Sequence, residues 1–158
     1  MSDADFDFLF GRWDVRNRWP PDLDDDTSWV EFPTTCQAGP ILGGLGNVDA
    51  FSFAGLPGYA PWEAATVRLY DPVADLWRIF WTTSRRPGDF DSPMEGRFED
   101  GVGVFYGSEE RDGRAARVRF VWTHTPGTAR WEQSYQFDEE APWKTDWIMD
   151  FRPAATKG

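Results

Sequence analysis

The chain has 158 residues, 41% of them hydrophobic, with one cysteine, one histidine and a formal net charge of -11. The lone Cys36 excludes an internal disulfide, and with a single histidine it excludes a His- and Cys-rich metal centre. The acidic balance opposes nucleic-acid binding and docking on anionic lipid, because both need a basic surface.

The amino terminus, Met1 to Phe8, is acidic and lacks the basic start and apolar run of a secretory signal. No stretch reaches the length of a membrane span. These features predict a single cytoplasmic domain over residues 1–158, with no nucleic-acid or membrane partner. Phe6, Leu9 and Phe10 form one apolar face behind an acidic first turn, which predicts a short helix or 3₁₀ turn within Asp3 to Phe10. Strand-like runs follow: Trp13 to Trp19, Trp29 to Gln37, Gly46 to Phe53, Ala65 to Tyr70, Trp77 to Thr83, Met94 to Phe98, Gly103 to Glu109, Ala115 to Thr123, Ala129 to Phe137 and Thr145 to Phe151. Turn chemistry separates them, including Pro40, Gly43-Gly44, Asp71-Pro72, Pro87-Gly88 and the hairpin signal Asp112-Gly113. The acidic run Asp22 to Asp26 reads as a solvated loop.

About ten short strands without crossover helices predict an antiparallel up-and-down meander, closed into a barrel to dispose of its edges. A barrel of that size encloses a cavity. A two-sheet sandwich is the rival, with the aromatics as ordinary packing.

Tryptophan is the compositional surplus, at ten residues. On a strand, positions i, i+2 and i+4 share a face. Trp77 thus faces the same way as Trp81, and Trp122 lies on a face with Val118 and Phe120. Val67 and Leu69 face one way on their strand and Arg68 and Tyr70 the other, which leaves its inward side open. So many indoles are hard to pack into one small solid core. The plain reading is core packing. The sharper one is a pocket walled by Trp81, Trp122 and Trp147, with Tyr70 and Gln133 as polar points. Trp77 and Trp131 are assigned to packing. If Arg68 or Arg119 points inward, its guanidinium needs a carboxylate, from the protein or from an anionic ligand.

Phe10-Gly11-Arg12-Trp13-Asp14-Val15, following a short helical turn, resembles the Gly-x-Trp opening of lipocalin and calycin barrels. Further segments, among them Val67-Arg-Leu-Tyr-Asp-Pro72, Arg119-Phe-Val-Trp122 and Trp143-Lys-Thr-Asp-Trp147, are similar to a group of uncharacterised bacterial lipocalin-like proteins. The resemblance implies a calycin barrel in which Arg152 packs across Trp13. It implies binding of small hydrophobic molecules, although some members of the superfamily are enzymes.

Motifs for nucleophilic catalysis are absent from the sequence. There is no Gly-x-Ser-x-Gly, and Gly43-Gly44-Leu45-Gly46 lacks the lysine of a phosphate loop. His124, at a strand end beside Thr125-Pro126-Gly127, reads as a surface residue. Glu132 and Asp146 form either an acid/base pair or ordinary ion pairs with Arg119 and Arg130. The first expectation is therefore a cofactor-free binder of a small hydrophobic or aromatic ligand, in either a neutral or an anionic form, held by Arg68, Tyr70, Trp81, Arg119, Trp122, Gln133 and Trp147. The alternative is a cofactor-independent cyclase, isomerase or lyase of natural-product type, with Tyr70, Glu132 or His124 as acid or base. A third reading makes Trp29 and Trp62 the face of a homodimer.

Overall fold

The computed structural model describes residues 3–20, 28–54, 58–111 and 113–155. Ten strands follow in order: β1 (Gly11–Trp19), β2 (Val30–Ile41), β3 (Gly46–Phe53), β4 (Trp62–Asp71), β5 (Leu76–Thr83), β6 (Met94–Glu99), β7 (Val102–Arg111), β8 (Arg114–Thr125), β9 (Thr128–Gln136) and β10 (Lys144–Pro153). Each pairs antiparallel with its chain neighbours, and β1 pairs β10 to close the barrel. Closure leaves no open sheet edge, which disposes of the sandwich. The acidic run Asp22 to Asp26 and the residue Asp112 of the hairpin signal lie outside the described residues. Gly113 sits at φ 78°, in the left-handed region that such turns favour.

Alternation builds the interior. On β1, Trp13, Val15 and Asn17 are buried while Arg12, Asp14 and Arg16 are exposed. On β2 the buried set is Phe32, Thr34, Cys36 and Ala38. On β4 it is Trp62, Ala64, Thr66 and Arg68, so the face that carries the one arginine and the threonine hydroxyl is the inner one. The outer face carries ion pairs between strands, such as Arg18 with Asp150 at 3.2 Å and Arg130 with Asp150 at 2.7 Å.

Of the two forms expected for the amino-terminal segment, the structure has the 3₁₀ turn, over Asp7–Leu9. Its Ncap makes no side-chain hydrogen bond, and three residues are too few to propagate an α-helix. Strand β2 runs through Pro40 to Ile41. Its pairing with β1 stops at Ala38, so Pro40 falls where one side of the strand has no ladder to supply. Arg152 does not cross Trp13. It is exposed on the outward phase of β10, one residue beyond the buried Phe151. Trp13 instead donates its indole N–H to the Leu9 carbonyl at 2.7 Å and meets Phe151 edge-on at 6.0 Å. The indole thus ties β1 to the 3₁₀ turn.

That turn plugs one end of the barrel. Phe6 is fully buried, with ring contacts to Trp77 at 5.0 Å and Phe98 at 4.9 Å, both near a right angle. The opposite end is looser because β5 and β6 diverge. They pair only from Trp77↔Gly96 to Ile79↔Met94, although β5 continues to Thr83. Below the divergence the strands press together: a Cβ at Gly96 would lie 2.0 Å from the Val104 carbonyl oxygen on β7. Above it, residues 84–93 cross the gap as a strap. The Asp91 N–H bonds the Trp81 carbonyl at 2.9 Å, and the Thr82 hydroxyl donates to the Asp89 carbonyl at 2.7 Å.

Candidate ligand-binding cavity

Above the plug the barrel holds a cavity of about 640 Å³. Its walls carry Trp81 from β5, Trp122 from β8, Trp131 from β9 and Trp147 from β10, with Phe51 and Phe120 between them. The indoles meet edge-on rather than stacked: Trp131 and Trp147 lie 5.4 Å apart at 83°, and Trp81 and Trp147 lie 6.3 Å apart at 89°. Edge-on pairs of this kind build a largely apolar wall against which a flat apolar body can lie. Trp147 is fixed from behind. Its indole N–H donates to Asn17 Oδ1 at 2.9 Å, and the Asn17 amide donates to the Thr34 hydroxyl at 3.0 Å.

Arg68 stands at the plugged end. Its guanidinium donates to Asp49 at 2.6 Å and to Asn47 Oδ1 at 3.0 Å. It lies over the Phe6 ring at 5.0 Å and the Trp122 ring at 5.5 Å. The Asp49 carboxylate also accepts the Thr66 backbone N–H at 3.1 Å. Register explains the cluster: Asn47 is directly opposite Arg68 across β3 and β4, and Asp49 is opposite Thr66. The guanidinium is therefore supplied with its carboxylate by the protein.

A second polar cluster sits higher in the wall. A bulge between Thr145 and Trp147 releases Asp146 from strand pairing. Asp146 accepts from Arg111 at 2.7 Å and from the Gln133 amide at 3.2 Å. Burial raises its carboxyl above the ordinary aspartate range, although Arg111 and Gln133 pull the other way. Burial likewise works against the Arg111 charge, but Asp146 and Glu109 outweigh it and raise that group. Because the folded Asp146 value is raised, its contribution to stability is full below the ordinary aspartate pKa of about 3.9 and is lost as pH rises through the raised value. Asp146→Asn is expected to flatten this part of the profile. Urea unfolding at several pH values between about 4 and 7 checks it, and parallel profiles for the two proteins would contradict it.

The cavity wall brings together Arg68, Trp81, Trp122, Gln133 and Trp147 of the residues expected from sequence. Tyr70 and Arg119 lie elsewhere. Tyr70 shares the inward phase of Arg68 but sits beyond it, at the plugged end, where its hydroxyl donates to Asp75 at 2.6 Å. That hydrogen bond, assisted by desolvation and nearby carboxylates, pushes the phenol up to about 12, away from any acid/base role near neutrality. Arg119 is on the outer phase between the inward Val118 and Phe120 and stacks over Trp143 at 4.5 Å. Trp131, assigned to packing, is part of the wall. His124 is exposed and stacked on Phe8 at 4.1 Å, away from the cavity. Glu132 faces Arg130 at 3.8 Å rather than Asp146. The Cys36 thiol is buried, and burial followed by the Asp49 charge raises it, the reverse of an activated nucleophile.

Sequence reasoning missed the strap entirely, because Pro87-Gly88 reads as a simple turn. It contributes Arg86, Asp89, Phe90 and Asp91 to the cavity rim, facing Glu109 and Glu110 of β7. Asn47 and Asp49 were also missed. Their i, i+2 spacing on the strand before Arg68 was the available signal. Among the described residues no group of three or more His, Cys, Asp or Glu is placed to hold a metal ion, and no helix is long and apolar enough to cross a membrane.

No family model matches the sequence, and no curated protein matches it. Among solved structures, the S-type phycobiliprotein lyase CPES from Guillardia theta is similar, with a TM-score of 0.57 at 12% identity, covering 96% of this chain and 92% of that chain. At that identity the likeness shows the fold alone: a closed, ten-stranded, lipocalin-like antiparallel barrel.

Proposed function

We propose that this barrel binds a small hydrophobic or aromatic molecule in its tryptophan-walled cavity. One observation carries the reading: Trp81, Trp122, Trp131 and Trp147 line an open volume in a barrel plugged at its other end by Phe6. A volume of about 640 Å³ falls within the usual range for drug-sized ligands, roughly 300–1,000 Å³. The test is a titration with the neutral probe 2-tert-butylnaphthalene, following intrinsic tryptophan emission. Saturable change is expected, and Trp131→Leu should weaken binding about tenfold by removing one wall face. Emission that never saturates would count against the proposal.

A second reading is a cofactor-independent enzyme, of cyclase, isomerase or lyase type, using the same cavity. Asp91 favours it. This carboxyl lines the cavity and is raised, first by burial and then by Glu109 and Asp89, against the pull of Arg86. A raised carboxyl is suited to general acid catalysis. The structural neighbour is a phycobiliprotein lyase, so an enzyme on this architecture has a precedent. Turnover of a product of a neighbouring biosynthetic gene, lost in Asp91→Asn while probe binding persists, would support it.

A further inference from the structure

The geometry points to a ligand with a positively charged head, a flat apolar body and a neutral hydrogen-bond acceptor at its buried end. This rests on the proposed binding role of the cavity and specifies the charge it accepts. The sequence left two sources for the carboxylate that an inward Arg68 needs, the protein itself or an anionic ligand that Arg68 would attract. The structure removes that attraction, because Asp49 neutralises Arg68 at 2.6 Å with both side chains almost fully buried.

The rim carries the opposite sign. Asp89, Asp91, Glu109 and Glu110 border the opening, against Arg86 as the one arginine of the rim among the described residues. Arg86 is paired with Asp91, and Glu109 with Arg111. Asp89 and Glu110 have no cationic partner within ion-pair distance among the described residues, and the Asp89 carboxylate accepts only the Phe90 backbone N–H, at 2.9 Å. The rim carboxylates also feel one another: Glu109, across the gap on β7, and Asp89, on the strap itself, both raise the Asp91 carboxyl. A cation lodged there relieves that repulsion. Beneath it, Trp81, Trp131 and Trp147 line the cavity with indole π systems, which attract positive charge. The chain's net charge of -11 adds a long-range field of the same sign.

At the plugged end the demand is different. Arg68 is 2% exposed and lines the cavity, and its Nε has no hydrogen-bond partner among the described residues. An unpaired buried donor favours an acceptor. With the guanidinium charge already met by Asp49, a carbonyl or ether suffices there. The two ends together describe an amphiphile oriented head outward.

The experiment uses three naphthalenes of matched shape: N,N,N-trimethyl-2-naphthylammonium, 2-tert-butylnaphthalene and naphthalene-2-sulfonate. Affinities are measured on the whole chain by calorimetry at low and high salt. The cation is expected to bind about tenfold tighter than its neutral isostere at low salt, and the sulfonate more weakly than either. The advantage should shrink as salt screens the rim. It should shrink also in Asp89→Asn/Glu110→Gln, which changes two exposed carboxylates and spares the ion pairs. Equal or tighter binding of the sulfonate, or a cation advantage unchanged in the double variant, would overturn the inference while leaving the binding role intact. Failure of all three probes to bind would overturn both.

Discussion

Asp49→Ala is expected to destabilise the barrel by about 3–5 kcal/mol, because it strands a guanidinium in the interior. Asp49 is fully buried and Arg68 is nearly so. Asn47 remains as a neutral acceptor at 3.0 Å, and the Phe6 and Trp122 faces remain at 5.0 and 5.5 Å, but none of these carries compensating charge. The double variant Asp49→Ala/Arg68→Met should recover most of the loss, since it removes both charges together. Recovery should stop short of wild type. The Thr66 N–H loses its Asp49 acceptor, at a cost of about 1–3 kcal/mol. Urea unfolding of the three proteins gives the comparison. A single variant within about 0.5 kcal/mol of wild type would show that the pair does not matter to the fold.

Phe6→Ala should cost about 3–5 kcal/mol, the range for emptying a buried phenylalanine site. The ring lies in the plug and touches Trp77, Phe98, Phe105 and Trp122, with Arg68 stacked on it as well. Few residues outside the strands are so enclosed. Phe8, two positions on and only half-buried, provides the control. Phe8→Ala should cost clearly less, because the ring is partly exposed and its nearest ring contact is the exposed His124, at 4.1 Å, with Phe98 and Trp122 about 6 Å away. Equal losses for the two would mean that the turn contributes bulk apolar area and no specific plug. Loss of the plug also removes one face of the Arg68 sandwich, so Phe6→Ala combined with Asp49→Ala is not expected to be additive.

The strands were legible because alternation is a physical period. β3 spans Gly46–Phe53, as read from sequence, and Trp13, Val15 and Asn17 share the inner face of β1. Closure followed from the same pattern, since a meander of this length must hide its edges. The cavity was legible through its indoles. Burial of charge was not, because hydrophobic periodicity has no term for a guanidinium that carries its own carboxylate. Val67 and Leu69 look like an inner face, yet they lie outward while Thr66 and Arg68 are buried. Only pairing with Asn47 and Asp49 on β3 makes that arrangement tolerable. The partner of Asp146 escaped for a related reason: it pairs with Arg111, not with Glu132, Arg119 or Arg130. One bulged residue shifts the phase of β10, and a bulge leaves no clear mark in the sequence. The strap escaped notice because its role depends on where β5 and β6 part company, which is a property of the assembled barrel.

The chemistry of the interior narrows the roles open to this protein. The thiol and the phenol that sequence singles out are both shifted away from reactivity near neutral pH, Cys36 by burial and Tyr70 by its bond to Asp75. The groups that border open volume include seven indole and phenyl rings beside aliphatic and neutral polar side chains and Arg68, with Arg86 and carboxylates at the rim. Such a surface holds and orients a molecule better than it attacks one.

Binding of 2-tert-butylnaphthalene to wild type and to Val118→Trp tests the cavity directly. Val118 is buried on β8 and lines the space, so an indole there fills it from within. Calorimetry is expected to show one-to-one binding by wild type and none by a Val118→Trp protein that keeps cooperative unfolding. Equal binding by both proteins would place the probe outside the barrel and contradict the cavity as the ligand site.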